Sequence, residues 1–334
     1  MTANRALPAL CTASVLALAA CGGSGTPKRV TTPKVASTVT VADAQLAAAE
    51  HPVAGDFPSP AGKSLQQLAG LARSSLQFGA ATETYTPGTR RVAFALLNAA
   101  NHYVYAPSAV YIASSPSARA QGPFPAPSDP LGVARAYQSD ENDGPGGLRA
   151  IYESRVPFGH PGVYDVLVLT RTASGTAGAT DQVKVARSSP IPDVGQRAPA
   201  IRTDTLASEH GRLSLVTTRV PPESMHSVSF DQVLGRRPIA LLISTPALCT
   251  SRVCGPVTDI IVSLQHLFPQ VAFIHQEVYA HNDPSLGLRI QLKELHLQSE
   301  PWLFTVDSRG VIRARLEGAF GVNEARRALE AALR

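Results

Sequence analysis

Two cysteines separated by four residues are the strongest candidates for chemistry in this 334-residue sequence. Cys249 and Cys254 are followed by Gly255-Pro256 and by apolar residues at helical spacing. Proline suits the first turn of a helix, where its missing amide hydrogen has no partner. A helix N-terminus also favours a thiolate. We therefore expect Cys254 to be the more acidic thiol and Cys249 to be its partner.

Helical geometry limits how the two sulfur atoms can meet. Residues five apart on an ideal helix are separated by a rise of about 7.5 Å, beyond the ~7 Å limit between the Cα atoms of a disulfide. Cys249 must therefore lie on a loop that folds back toward the start of the helix. The polar run Thr250-Ser-Arg252 is typical of such a loop. Arg252 is either a charge that lowers the pKa of a thiol or a solvated loop residue.

The N-terminus has the features of an export signal. Residues 1–20 contain one cation, Arg5, followed by an apolar stretch too short to span a bilayer and by small residues. Leu18-Ala-Ala-Cys21 resembles the lipobox of bacterial lipoproteins, which implies cleavage before Cys21 and lipidation of that cysteine. The alternative is a plain secretory signal with an incidental cysteine. We expect a lipid-anchored protein on the extracytoplasmic face of the cell membrane.

Composition narrows the choice of partners and cofactors. The net charge is +5, and the basic residues are scattered, so nucleic acid is not an expected partner. The sequence has no phosphate-binding loop, no Ser/His/Asp constellation and no zinc-ligand cluster, so we predict no cofactor and no metal ligands. Outside the cytoplasm, an isolated close cysteine pair is usually a disulfide or a redox couple.

The chain length suggests two domains after an export segment. Residues 21–60 are rich in Gly, Thr, Pro and Ser and predict a flexible tether. Residues 61–187 contain short strands separated by Gly/Pro turns and predict an all-β sandwich. The stretch Phe158 to Val166 looks like the late turn and strand of immunoglobulin-like modules. The alternating apolar positions are Val92, Phe94, Leu96, Val110, Ile112, Tyr152, Tyr164, Val166, Val168, Val183 and Val185.

A proline-rich linker over residues 188–199 leads into a mixed α/β region, 200–334. Residues 238–244 form an apolar run typical of a strand buried on both faces. A helix is predicted after Cys254, then a strand over 271–279, a hairpin around Asp307-Ser-Arg-Gly310, and a final helix capped by Asn323.

This order of elements resembles the thioredoxin fold over roughly residues 200–334. Cys254-Gly255-Pro256-Val257 is similar to the Cys-Gly-Pro-Cys turn of thioredoxins, with Val257 in place of the second cysteine. Pro301, which leads into the strand Trp302–Val306, resembles the proline that this fold keeps in the cis form beside the redox centre. The resemblance implies a catalytic site of Cys249, Cys254 and Pro301. The chain departs from the family in its cysteine spacing, in lacking a carboxylate on the strand before the motif, and in having Val253 where tryptophan is usual.

Three functions remain open for the pair. The first is thiol-disulfide exchange with the thiols or disulfides of exported proteins, with the sandwich as a spacer or substrate platform. The second is a permanent disulfide in a non-enzymatic binding or scaffold protein. The third is implied by the copper-delivery branch of the fold, in which two cysteines and a distant histidine hold the metal. The histidines available for it are His275, His281 and His296.

Overall fold

The computed structural model describes residues 41–141 and 147–334. Contacts between Cα atoms divide the chain into Met1–Val39 and Thr40–Arg334, and all described residues belong to the second part. The predicted signal segment and the lipobox at Cys21 lie outside the described residues. Within the described residues, no helix has both the length and the apolar character that a membrane span requires.

The first half of the described chain consists mainly of strands. Its helices are α1 (Val41–Ala49) and α2 (Leu65–Ala69). Its strands are β1 (Ser74–Ser75), β2 (Gln77–Ala80), β3 (Gly88–Leu97), β4 (Ser108–Ala113), β5 (Gln121–Pro125), β6 (Ser128–Pro130), β7 (Ala150–Phe158), β8 (Gly162–Thr172) and β9 (Gly175–Val185). They form a five-stranded sheet of order β1-β9-β8-β4-β5 and a four-stranded sheet of order β2-β3-β7-β6.

The two sheets pack face to face around one apolar core, and we call this part the sandwich. Phe94 on β3 stacks on Tyr152 of β7, with ring centroids 5.2 Å apart. All eleven alternating apolar residues named above lie in this core with at most 6% exposure. The period-two prediction is therefore confirmed. Alternation identifies these residues because successive side chains of a strand point to opposite faces.

The described parts of two segments that the sequence predicts as connectors are packed against the rest of the protein. The predicted tether, residues 21–60, contains helix α1 within its second half, and Ala49 and Phe57 are buried. In the predicted linker, residues 188–199, Ile191 is buried in an apolar core, and Gly195 donates a backbone hydrogen bond to Ile312. Both segments are rich in Pro, Gly and Ser, so their few apolar residues did not indicate packing in the sequence. Contacts with distant parts of the chain bury these residues.

The second half of the described chain contains a mixed sheet with helices. Its elements are α3 (Phe230–Val233), β10 (Ile239–Ile243), α4 (Cys254–Leu264), β11 (Ala272–Gln276), α5 (Ile290–Glu294), β12 (Trp302–Val306), β13 (Ile312–Glu317) and α6 (Val322–Ala332). The sheet order is β11-β10-β12-β13. Strands β10 and β11 are parallel, whereas β12 is antiparallel to both of its neighbours. The predicted strands and helices of this region are thus present.

Strand β10 is the centre of this sheet because all five of its residues are apolar and buried. Ala240 and Leu242 face a core that includes α4 and α6, whereas Ile239, Leu241 and Ile243 face a core that includes α5. A strand covered on both faces needs no polar alternation, which explains its continuous apolar sequence.

The sandwich and the mixed sheet share one of these cores. Ala93, Leu131 and Ile151 of the sandwich region are clustered with residues of α4, β13 and α6. A buried ion pair reinforces the contact, with Arg91 Nε on β3 lying 2.7 Å from Glu324 Oε1 on α6. The two halves are therefore one compact unit rather than modules joined by a free linker.

The start of helix α6 shows how closely the halves are joined. The helix begins at Val322, and its N-cap residue Gly321 offers no side chain. The carboxylate of Asp129, on β6, instead accepts hydrogen bonds from the backbone amides of Asn323 and Glu324 at 3.0 and 2.6 Å. The prediction that Asn323 caps this helix is wrong because a distant sandwich residue supplies the cap.

Candidate functional site

The cysteine pair lies where strand β10 gives way to helix α4. Cys254 is the first residue of α4, and Pro256 lies in its first turn, as predicted. Cys249 lies on the preceding loop, where Leu248 donates a backbone hydrogen bond to Thr245 and Arg252 donates one to Cys249. These turns fold the loop back toward the helix start, which confirms the geometric expectation for Cys249.

Both cysteines are free thiols in the structure, and their environments differ. Cys254 has no exposed surface, whereas Cys249 keeps 8%. A hydrogen bond with the Cys254 side chain lowers the pKa of Cys249, burial opposes it, and Ser251 and nearby backbone amides lower it further, to about 6. Ser251 Oγ lies 3.2 Å from the Cys249 sulfur.

The Cys254 thiol is the less acidic of the two. Burial raises its pKa well above the ordinary value, and the neighbouring Cys249 sulfur raises it further. The expectation that the helix start makes Cys254 the more acidic thiol is therefore wrong. At Cys254, desolvation of a fully buried thiolate outweighs the partial charge of the helix amides and raises the pKa. Cys249 instead accepts the hydrogen bonds that lower its pKa.

Pro301 lies at the same end of the sheet as the cysteine loop. It directly precedes β12, whose first residue, Trp302, pairs with Ile243 at the end of β10. The peptide bond between Glu300 and Pro301 is cis, and the Pro301 carbonyl accepts a hydrogen bond from Gly318. The structure thus brings all three predicted site residues, Cys249, Cys254 and Pro301, to one end of the sheet.

The carboxyl group of Glu300 interacts electrostatically with both cysteines. Burial raises the pKa of its carboxyl, and the negative charge of Cys249 raises it further. The same carboxylate contributes to the raised pKa of Cys254. A carboxyl group beside two thiols can hold or release a proton as their charge changes. The sequence places Glu300 next to the proline but does not reveal this role.

A chain of buried polar side chains runs behind the helix start. Thr258 Oγ1 donates to the Cys254 carbonyl at 2.7 Å and lies 2.9 Å from Ser244 Oγ. Ser244 Oγ lies 2.9 Å from His275 Nε2, and His275 Nδ1 lies 2.6 Å from Glu223 Oε1. Every member is buried except for a small part of Glu223. This network fixes the backbone of the cysteine turn through hydroxyl and imidazole groups.

Glu223, His226 and His275 form the one group of three potential metal ligands found among residues 41–141 and 147–334. His226 Nε2 lies 2.5 Å from the same Glu223 oxygen that contacts His275. Burial lowers the pKa of His275, but the adjacent Glu223 carboxylate more than reverses this, so the pKa of the imidazole is raised. The group is a hydrogen-bonded cluster of two imidazoles and one carboxyl group, and it contains neither cysteine.

The other two histidines considered from the sequence lie elsewhere. His281 belongs to a single-turn 3-10 helix, Ala280–Asn282, and His296 follows helix α5, and both have positive φ angles near 50–60°. Neither is buried. Of the three histidines proposed as a copper ligand, only His275 is buried. Both of its ring nitrogens already contact other side chains, those of Ser244 and Glu223.

The sandwich half contacts the helix that carries Cys254. A Cβ atom at Gly255 would lie 2.7 Å from the Glu141 carbonyl oxygen, so only glycine fits there. Nearby, Asp259 on α4 accepts a hydrogen bond from the Ser139 amide and forms an ion pair with Arg219 at 2.9 Å. The glycine after Cys254 is thus explained by close packing of the sandwich segment.

The arrangement supplies one acidic thiol with limited access to solvent and a second thiol buried directly beside it. Such a pair can attack a disulfide and then resolve the mixed disulfide. Comparison of this chain with protein-family models and with curated proteins gives no match. The geometry of the site is therefore the basis on which a function is assigned.

Proposed function

We propose that the protein is a membrane-anchored, extracytoplasmic thiol-disulfide exchange protein in which Cys249 attacks and Cys254 resolves. The single observation that carries this proposal is the contrast between the thiols. Cys249 has a pKa of about 6, and the buried Cys254 beside it has a raised pKa. Reactive cysteines are acidic and partly accessible, whereas inert structural cysteines are not.

The reaction proceeds in two balanced steps. The Cys249 thiolate attacks one sulfur of a substrate disulfide, the substrate S–S bond breaks, and one substrate thiolate leaves with the electron pair. Cys254 then loses its proton and attacks the Cys249 sulfur, which releases the second substrate thiolate. The substrate gains two electrons, and the protein is left with a Cys249–Cys254 disulfide. The reverse sequence oxidises a substrate dithiol.

The buried position of Cys254 fits the resolving role. A thiol with a raised pKa stays protonated while Cys249 reacts, so it does not compete for the substrate. Once Cys249 is bonded to substrate, its negative charge and its hydrogen bond to Cys254 are lost, which favours ionisation of Cys254. Glu300, whose carboxyl group interacts electrostatically with both thiols, is the acceptor that we assign to that proton.

The proposal includes a thioredoxin-like second half and an immunoglobulin-like sandwich. Support for the first is the order β11-β10-β12-β13, with a helix that begins at a cysteine after the central strand and with Pro301 before β12. Support for the second is the two-sheet sandwich of mainly antiparallel strands with one aromatic and aliphatic core. The sandwich packs against α4, which favours a role in substrate binding over that of a spacer.

Single cysteine variants test the exchange mechanism. In Cys254→Ser, the mixed disulfide between Cys249 and a substrate cannot be resolved, so we expect a stable adduct with exported proteins that disappears on treatment with dithiothreitol. Cys249→Ser is the matched control and should trap little. Equal trapping by the two variants, or an adduct only through Cys254, would contradict the assigned roles.

The same pair could serve as a permanent disulfide in a scaffold protein. A redox titration separates this function from exchange, because a structural disulfide has a reduction potential below about −300 mV. The acidic Cys249 supports a higher potential. For the copper hypothesis, titration of the reduced protein with Cu(I) should give no tight binding if His275 remains engaged by Glu223.

The lipid anchor rests on the sequence around Cys21. Metabolic labelling with a fatty acid should mark the wild-type protein, and Cys21→Ala should remove the label and release the protein from the membrane fraction. Cys249→Ser provides the control for loss of a cysteine as such. Labelling that survives in Cys21→Ala would contradict the assignment of the anchor.

A further inference from the structure

A groove of about 320 Å³ lies beside the cysteine loop, between the sandwich and the mixed sheet. Strand β2 and the facing positions of β3 and β7 line one side, and the cysteine loop, the residues before Pro301 and the segment after β13 line the other. We call it the inter-sheet groove. Its described lining residues are Gly79, Ala80, Ala81, Glu83, Ala95, Leu97, Tyr103, Leu148, Ile151, Ser251, Val253, Ser299, Glu300, Glu317, Gly318 and Ala319.

The groove adjoins the reactive thiol through two residues. Ser251, which lines it, is the residue whose hydroxyl lies 3.2 Å from the Cys249 sulfur. Glu300, which also lines it, is close enough for the charge of Cys249 to raise the pKa of its carboxyl. A molecule in the groove that contacts Ser251 is therefore one side chain away from the Cys249 sulfur.

Small side chains keep the sandwich wall open. Gly79 pairs with Ala95 across β2 and β3, and neither residue projects far from the sheet. The two walls meet closely at one point, because a Cβ atom at Gly318 would collide with the Ala81 carbonyl oxygen. Only glycine fits there, and its φ angle of +70° is also one that glycine adopts readily. The groove is thus held open between two walls that pack tightly against each other at Gly318.

The groove is acidic. Its described lining residues include three glutamates and no lysine, arginine or histidine. Glu317 is already engaged, because its oxygens accept the backbone amides of Glu83 and Thr84 at 3.1 Å. The side chains of Glu83, which is exposed, and Glu300, which is partly exposed, remain to face a ligand. An apolar floor with an acidic rim complements a cation on a short apolar segment.

We propose that the inter-sheet groove binds an extended segment of the substrate polypeptide that carries lysine or arginine close to its reactive cysteine. This inference rests on the proposed exchange function and names its substrate class. The volume is at the low end of ligand pockets, so a few side chains fit and a folded domain does not. Holding the segment there presents the substrate sulfur to Cys249, and the charge steers the encounter.

Two peptides that differ only in charge test the inference. Each has eight residues with one cysteine joined by a disulfide to 5-thio-2-nitrobenzoate, and two flanking positions are lysine in one peptide and glutamate in the other. The Cys249 thiolate of reduced protein bonds to the peptide sulfur, and the coloured thiolate leaves with the electron pair. We expect the lysine peptide to react about tenfold faster at low salt, and the difference to shrink as salt is added.

Charge reversal on the groove identifies its source. Glu83→Lys should bring the ratio of the two rates close to one, whereas Glu330→Lys, on an exposed position of α6 that does not line the groove, should keep it. Exchange with 2-hydroxyethyl disulfide, which is uncharged, is measured in parallel on the wild type. Equal peptide rates with intact exchange of the small disulfide would overturn the inference alone. Absence of exchange with every disulfide would overturn the proposed function and the inference with it.

Discussion

The hydroxyl of Ser251 lies 3.2 Å from the sulfur of Cys249, two residues earlier on the same loop. This contact helps to explain why the loop cysteine, rather than the one at the helix start, has the lowered pKa. The thiolate is held by donors from a tight turn, in which the hydroxyl and the amides of Val253 and Cys254 converge. The loop is therefore part of the site and not only a connection to it.

Removal of that hydroxyl should weaken the Cys249 thiolate. A hydrogen bond to a charged group contributes about 1.5–3 kcal/mol, so Ser251→Ala should raise the pKa of Cys249 by roughly one pH unit or more. The measurement is the pH dependence of iodoacetamide alkylation at Cys249, followed by mass spectrometry. Ser263→Ala, which removes a hydroxyl bonded to Ile260 on α4, is the control and should leave the midpoint unchanged. An unchanged midpoint in Ser251→Ala would show that Ser251 does not lower the pKa of Cys249.

The stability of the reduced protein should depend on Cys249 ionisation. Its pKa is about 6 in the folded protein and about 8.5 in an unfolded chain, so between these values the unfolded state binds more protons. The stabilisation is fully present above the unfolded pKa and is lost as the pH falls through 6. Compared with Cys249→Ser, the wild type should therefore gain stability between pH 6 and 8.5, by at most about 3.4 kcal/mol. Urea denaturation at several pH values checks this, and parallel curves for the two proteins would contradict it.

The buried hydrogen-bonded cluster behind the cysteine turn should be important for stability. Glu223 Oε1 lies 2.6 Å from Nδ1 of His275, whose pKa this carboxylate raises, and removal of one partner of a buried pair costs about 3–5 kcal/mol. Glu223→Gln should lower the free energy of unfolding by this order, as measured by urea denaturation. Glu330→Gln, at an exposed position, should change it by less than about 0.5 kcal/mol. A cost below 1 kcal/mol for Glu223→Gln would show that the cluster is not a paired charge.

Close packing of the sandwich on helix α4 makes a prediction for Gly255. In Gly255→Ala, the new Cβ atom meets the Glu141 carbonyl oxygen at 2.7 Å, so the contact must open. Overpacking of this kind costs about 1–3 kcal/mol, and the change next to Cys254 should also slow resolution of mixed disulfides. Gly132→Ala is the matched control, since a Cβ atom there meets nothing within 4 Å. Equal stability of the two variants would contradict the packing.

Much of the architecture could be predicted from local sequence patterns. The alternating residues of β3, β4, β7, β8 and β9 all lie in the sandwich core, and the apolar run at 239–243 is the central strand of the mixed sheet. The cysteine loop, the helix start at Cys254 and the position of Pro301 also agree with the sequence. These features depend on strand and helix periods and on proline and glycine geometry, which act over a few residues.

The rest depends on contacts between distant residues. Hydrogen bonds from the Cys254 side chain, Ser251 and nearby amides lower the pKa of Cys249, and burial raises the pKa of Cys254. A helix-start motif reports neither effect. Glu223 and His226 are spaced three residues apart in a polar segment, and only folding brings them to His275, some fifty residues later. The groove beside Ser251 requires a wall from each half of the chain. No period or motif in either half alone predicts it.

Alkylation of the reduced wild-type protein at a series of pH values shows which of the two thiols is acidic. With mass spectrometry to separate the sites, Cys249 should react with a midpoint near pH 6, and Cys254 should stay unmodified at pH 7. A Cys249 midpoint at or above about 8.5, the value of an ordinary thiol, or earlier modification of Cys254, would disprove the role of Cys249 as the attacking thiol.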